Sequence, residues 1–245
     1  MSFLSKKDIP LEEFIPDGYI DIHSHLLPGI DDGVKTMYQS AYILERFERM
    51  GVKKVITTPH VIQDVWPNTS HTIQENLQEI KDIIVALNIR KLELQASAEY
   101  MLDDLFYSRI KSKDILPLHK NYILVEMSTF GPPMNISEFL FEIKLAGYIP
   151  ILAHPERYSF YHDDLKKFDE LKKSGFLFQI NLLSLSGYYG ERVQNMAKRL
   201  MSLDYIDFTG TDIHNYHQLG VLEQGFQPKI AEKVSELMQN NAIFS

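Results

Sequence analysis

Two histidines one residue apart, His23 and His25, are the first groups in this chain that could do chemistry. They follow the apolar, β-prone run Tyr19-Ile20-Asp21-Ile22. Pro28-Gly29 then turns the chain back towards a pair of acids, Asp31 and Asp32, ahead of Gly33. Strand side chains alternate with period 2, so His23 and His25 point the same way, roughly 6–7 Å apart along the chain. Two imidazoles so placed can converge on one divalent ion at ligand bonds of about 2.0–2.1 Å. The turn lets Asp31 or Asp32 come over the same spot. A His-X-His pair on a surface strand would do none of this, so the rest of the chain decides.

The rest of the chain repeats the pattern. Apolar strand-like runs at 19–23, 53–58, 92–98, 121–125, 148–153, 176–180 and 206–209 alternate with helical segments at 34–50, 73–87, 136–146, 163–174, 190–203 and 230–239. Ser70 stands as an N-cap for the second helix and Pro228 heads the last one. Residues 101–115 are partly helical. Strand–helix alternation predicts an α/β fold of parallel strands with right-handed crossovers, here a distorted seven-stranded TIM-like barrel, one short of the usual eight. Residues 1–18 read as an N-terminal arm and 19–245 as a single barrel domain.

Polar groups then fall at strand ends. His60 follows the second strand, Glu99 the third, Glu126 the fourth, His154 the fifth, Asn181 the sixth, and Asp212 and His214 the seventh. In a parallel barrel those ends open on one face, so residues far apart in sequence meet in one bowl. Each residue alone has an ordinary reading as a loop cap or a satisfied core group; their joint placement does not. His23, His25, His60, His154 and His214 with Asp32, Glu99, Glu126 and Asp212 are too many ligands for one tetrahedral ion. They suit two or three ions about 3.5–4 Å apart with a bridging carboxylate. Three divalent ions would outweigh the four carboxylate charges, giving a bowl suited to a dianionic phosphate ester.

Arg157, three residues after His154, would hang over the same face, where a guanidinium fork matches phosphate oxygens. An ion pair with Glu156 or a neighbour is its structural alternative. Lys35 and Arg192 read as solvated, and His71, His119 and His162 as surface residues. His217 falls at the rim as a possible general acid.

Composition sets the outer limits. The chain has 245 residues, 44% of them hydrophobic, with 25 Lys+Arg against 33 Asp+Glu for a net charge of −8. No basic patch points to nucleic acid. There is no cysteine, which excludes disulfides, thiolate ligands and a thiolate nucleophile. No signal-like segment opens the chain and no run of about 18 apolar residues spans a membrane, so a cytoplasmic enzyme is expected.

His23-Ser24-His25 with Asp31-Asp32-Gly33, Thr58-Pro59-His60, Ala98-Glu99-Tyr100, Val125-Glu126-Met127, Ala153-His154-Pro155-Glu156-Arg157-Tyr158 and Thr211-Asp212-Ile213-His214 resemble the polymerase and histidinol phosphatase (PHP) superfamily. More narrowly they resemble its bacterial protein-tyrosine phosphatase branch, associated with capsule and exopolysaccharide synthesis. The resemblance runs from about Tyr19 to the last helix. It implies a distorted seven-stranded barrel holding Mn, Fe, Zn or Mg ions on His23, His25, Asp32, His60, Glu99, Glu126, His154, Asp212 and His214, with Glu99 bridging. It implies that Arg157 binds phosphate, and that a tyrosine kinase of polysaccharide export is a partner. That branch often carries a second arginine after the Asp-X-His motif. Here Asn215-Tyr216-His217-Gln218-Leu219-Gly220 stands there and no arginine follows Arg199.

The expected activity is hydrolysis of phosphotyrosine in proteins by a metal-bound hydroxide. The nearest alternative is a phosphatase of a small phosphomonoester such as histidinol phosphate. An amidohydrolase also opens with His-X-His, but that class commonly has a lysine after its fourth strand, where Glu126 stands here. A catalytically dead barrel kept as a binding partner is the non-enzyme alternative.

Overall fold

The computed structural model describes residues 7–245, so residues 1–6 of the expected arm lie outside the described residues. Nine strands occur among the described residues. They are β1 (Ile20–Asp21), β2 (Lys54–Thr57), β3 (His60–Val61), β4 (Glu93–Ala96), β5 (Glu99–Met101), β6 (Tyr122–Glu126), β7 (Ile149–Ala153), β8 (Leu177–Asn181) and β9 (Phe208–Gly210). Past their first residues β6, β7 and β8 are buried throughout, which is why they read as continuous apolar runs rather than alternating ones.

Every ladder is parallel. One sheet has the order β1-β2-β4 and the other β3-β5-β6-β7-β8-β9. Where seven strands of one distorted barrel are expected, the described residues form nine strands in two sheets. The second and third expected strands each break, at Thr58-Pro59 and at Ser97-Ala98, and resume as β3 and β5 in the other sheet. Pro59 has no N–H to give to a ladder. The chain itself, rather than a continuous set of hydrogen bonds, carries one sheet into the next.

No ladder joins β1 to β9; side chains bridge that seam, and past the strand ends a single parallel bridge pairs Ser24 with Ile213. Buried Asn241 donates from Nδ2 to Ile20 O and Thr209 O, both at 2.8 Å, and accepts from Thr209 N at 3.2 Å. Asp21 accepts from Thr211 N at 2.9 Å and Thr211 Oγ1 at 2.8 Å, and burial pushes its carboxyl up to about 6. Above them Asp212 N donates to His23 O at 2.7 Å and His25 N to Ile213 O at 2.9 Å. Asn241→Ala is expected to strand these buried backbone groups and to cost on the order of 3 kcal/mol, readable as a lowered denaturation midpoint in urea.

The surrounding helices bury single apolar stripes. α1 is Leu11–Phe14 and α2 Met37–Arg49, capped by the Thr36 hydroxyl. α3 is Ser70–Ala86, with Ile73, Leu77, Ile80 and Ile84 inward; its cap is Thr69, boxed with Thr72, rather than Ser70. α4 (Asp104–Ser112), α5 (Ile136–Leu145), α6 (Lys166–Ser174), α7 (Leu182–Ser186), α8 (Glu191–Ser202), α9 (Tyr216–Glu223) and α10 (Pro228–Gln239) complete the set. Pro228 is at the head of α10, where its missing N–H costs nothing. The described part of the arm is packed down: Leu11 is buried and Ile9 pairs antiparallel with Phe226. No helix among the described residues is long and apolar enough to cross a membrane.

Candidate metal centre

The nine predicted ligands come together, eight of them in three overlapping groups, with His60 and Glu99 opening β3 and β5 just past the strand breaks. His25, Asp32, His60 and His214 form one; His23, His25, Glu99 and Asp212 a second; His60, Glu99 and Glu126 a third. Within each group the potential ligand atoms lie within 4.8 Å of one another. His154 joins through Glu99, its Nε2 lying 2.9 Å from Glu99 Oε1 and 3.9 Å from Glu126 Oε2. Glu99 is the hub, with Oε2 at 3.2 Å from His23 Nε2, 3.4 Å from His25 Nε2 and 3.2 Å from His60 Nδ1.

The backbone works to put them there. His154 and Asp212 both take left-handed conformations, φ 36° and φ 51°, uncommon for residues with a Cβ and a form of strain that collects at functional sites. Gly33 lets the acidic turn close over the first strand. A Cβ there would lie 2.3 Å from His25 O, so no other residue fits without displacement.

The two acids of that turn divide the work. Asp32 is half-exposed, its Oδ1 3.5 Å from His60 Nε2 and 3.4 Å from His214 Nε2. Asp31 is buried and lies behind the ligands, its Oδ2 at 2.8 Å from His25 Nδ1 and accepting from His60 N, its Oδ1 accepting from Gly33 N. Burial alone would raise Asp31; the His25 and His60 rings and the Gly33 N–H outweigh it and bring the carboxyl down to about 2. Gln179 does the same for His23, with Oε1 2.7 Å from its Nδ1. Each brace turns the other nitrogen, Nε2, towards the carboxylates, as carboxylates and amides behind ligating imidazoles do. Asp31→Ala is expected to weaken metal binding by roughly 10–100-fold with the fold intact, measured by competition with a metallochromic chelator.

A cation fits this donor set. His23 Nε2 and His25 Nε2 face each other at 3.3 Å, with Asp212 Oδ1 at 3.3 and 3.2 Å from them. His60 Nδ1 and Glu126 Oε1 lie 2.9 Å apart, yet both are buried without a hydrogen-bond partner, as is Glu99 Oε2. Buried lone pairs aimed at one another leave a demand for positive charge. Burial alone would lower the His60 pKa; the charges of Glu126 and Glu99 more than reverse this and raise it to about 9. Burial would likewise raise Glu99 and Asp212, but the neighbouring imidazoles, His23 foremost, hold both well below the usual carboxylate range.

Arg157 follows His154 in a single 3-10 turn, Pro155–Arg157. Its ion-pair partner is not Glu156, which is buried and accepts from Asn181 N, but Asp212, whose Oδ2 takes Nη1 at 2.9 Å. The guanidinium lies 4.7 Å over the Tyr189 ring. His217 is exposed in the first turn of α9, its ring 6.3 Å from that of Tyr188. Trp66 stacks on His60 at 5.2 Å. The sequence leaves Asp31 and Asp32 as alternatives over the same spot without giving Asp31 its place behind His25, and it does not single out Gln179 or Tyr189. The signal for Gln179 was present, since it is a polar residue inside an otherwise apolar strand.

A parallel α/β scaffold with imidazoles and carboxylates massed at its strand ends defines a class of metal-site proteins. The chain belongs to the family described as Capsular polysaccharide synthesis, CpsB/CapC, which matches residues 19–240. It is 28% identical to the tyrosine-protein phosphatase YwqE of Bacillus subtilis over 238 residues, covering 92% of this chain and 93% of YwqE. It is 30% identical to the tyrosine-protein phosphatase CpsB of Streptococcus pneumoniae over 204 residues, covering 80% of this chain and 83% of CpsB. A crystal structure from the study of YwqE and CpsB, described as unique metal-dependent tyrosine phosphatases, superposes with a TM-score of 0.76 at 27% identity, covering 90% of this chain and 94% of that one. An amidohydrolase from Mycoplasma synoviae, 11% identical with a TM-score of 0.51 over 99% of this chain and 89% of its own, shares the fold alone.

Proposed function

We propose that this chain is a metal-dependent protein-tyrosine phosphatase that acts without cysteine, and that it regulates capsule or exopolysaccharide synthesis. The observation that carries the reading is the joining of three ligand groups through His25, His60 and Glu99, with Arg157 tied to the same cluster by Asp212. Family membership and the tyrosine phosphatases it resembles supply the substrate class. Residues 19–245 are read as one domain, a distorted seven-stranded barrel of the PHP type whose ladder is interrupted beside the site.

Two or three divalent ions, Mn, Fe, Zn or Mg, would be held by His23, His25, Asp32, His60, Glu99, Glu126, His154, Asp212 and His214. Bound there, they supply Lewis acidity that acidifies water and draws charge from the phosphoryl oxygens. The rest is done by the protein. Asp31 and Gln179 fix the tautomer and angle of His25 and His23. Arg157, permanently charged, offers its remaining N–H donors to the phosphoryl oxygens and holds the ester in line. The phenolate of phosphotyrosine is a good leaving group, so little general-acid help is needed, and His217 at the rim is the nearest candidate to give it.

The substrate is a phosphotyrosine protein, with a bacterial tyrosine kinase of polysaccharide export as the expected partner, in the cytoplasm. Metal-loaded protein should release phosphate from phosphotyrosine peptides and from aryl phosphates in preference to small alkyl phosphates. Preference for an alkyl ester such as histidinol phosphate would move the chain to the small-molecule reading; no release from any of them would end the phosphatase reading.

A further inference from the structure

Arg157 is not a free guanidinium reaching into solvent. Nη1 is tied to Asp212 Oδ2 at 2.9 Å, and the group lies over Tyr189 with its central carbon 4.7 Å from the ring centroid. Asp212 is itself held from both sides. Its Oδ2 also takes Asn181 Nδ2 at 2.6 Å, while its Oδ1 faces His23 and His25. Tyr189 in turn is anchored, with its hydroxyl 3.4 Å from Asn181 Nδ2 and its ring meeting Tyr188 edge-on at 5.1 Å. It stands in the turn between α7 and α8, where Gly187 and Gly190 both take left-handed conformations on either side of the tyrosine pair.

One ion pair fixes a guanidinium at one nitrogen and leaves it free to swing about that point. An aromatic face beneath it removes the swing, because the ring quadrupole attracts the cation and the flat guanidinium stacks on the flat ring. We propose that Tyr189 is a positioning residue for phosphate recognition, clamping Arg157 against Asp212 so that its unpaired N–H donors are presented to the phosphoryl group. The proposal rests on Arg157 binding phosphate. One arginine, pre-aimed, does more for phosphate than one arginine left mobile.

Tyr189→Leu and Tyr189→Phe in the full, metal-loaded chain test it, with inorganic phosphate as the probe in calorimetric titration. The leucine variant should bind phosphate about 5–20-fold more weakly, the size of a partly desolvated cation–π contact, while the phenylalanine variant should bind as the parent does. Metal content and melting temperature should stay at parent values. In an Arg157→Ala background the leucine change should have no further effect, because the tyrosine acts only through the arginine. Tyr189→Met, which keeps apolar bulk without a ring, takes the place of leucine if that variant does not fold. Unchanged phosphate affinity in the ring-less variant, or an equal loss with and without Arg157, overturns the proposal. Turnover of aryl phosphates by the parent chain is read separately, so failure of the phosphatase reading would show there and not in the titration.

Discussion

Glu99→Ala is expected to strip metal from the bowl and lower kcat/KM by roughly 10³-fold or more, the several kcal/mol of transition-state stabilisation that metal Lewis acidity supplies. The size follows from position. Glu99 is fully buried, and its two oxygens face four imidazoles, those of His23, His25, His60 and His154. It belongs to two of the three ligand groups and reaches His154, which belongs to none. Its loss therefore removes a donor from every ion near it and half of the fully buried negative charge that Glu99 and Asp212 together place among the imidazoles. The shorter side chain also leaves His154 without its 2.9 Å partner. Glu99→Gln should behave almost as badly, since it keeps the volume but not the charge. Elemental analysis with a phosphate-release assay reads the result, and circular dichroism checks that the strands remain. A Glu99→Ala protein that kept its full metal complement and half its rate would place the ions elsewhere.

Arg157→Ala should separate binding of phosphate from binding of metal. Metal content stays at the parent level, because Asp212 keeps Asn181 on Oδ2 and keeps His23 and His25 beside Oδ1. KM rises and kcat falls together, by a combined factor of about 10²–10³, as expected for a charged donor that meets the phosphoryl oxygens more strongly as charge develops. Arg157→Lys should recover only part of this, since an ammonium has no planar fork to offer two oxygens. Steady-state kinetics on a phosphotyrosine peptide, with metal measured on the same samples, gives both numbers. A silent Arg157→Ala would leave the Asp212 ion pair as the residue's whole role.

The sequence by itself determined which atoms could meet. Period-2 alternation puts His23 and His25 on one side of an extended run just past β1, and parallel strand–helix alternation turns the groups that follow the expected strands to one face, so the gathering of the nine His, Asp and Glu side chains was legible without coordinates. It also determined the absence of a thiolate, since no cysteine exists to form one. Tertiary structure alone decided how those atoms are held. Asp31 and Asp32 are adjacent acids in one turn, and only the close seat of Gly33 against His25 O sends Asp31 behind the imidazoles and leaves Asp32 half-exposed in front. The breaks at Pro59 and Ser97-Ala98, which divide the sheet in two, and the Asn241 bridge across the β1–β9 seam depend on which backbone groups find partners over long sequence separations. Local residue types carry no record of that. The same holds for Gln179 and Tyr189: one sits 156 residues from the histidine it braces and the other 32 from the arginine it underlies. Ligand type is a property of the residue itself, whereas orientation is a property of what packs against it.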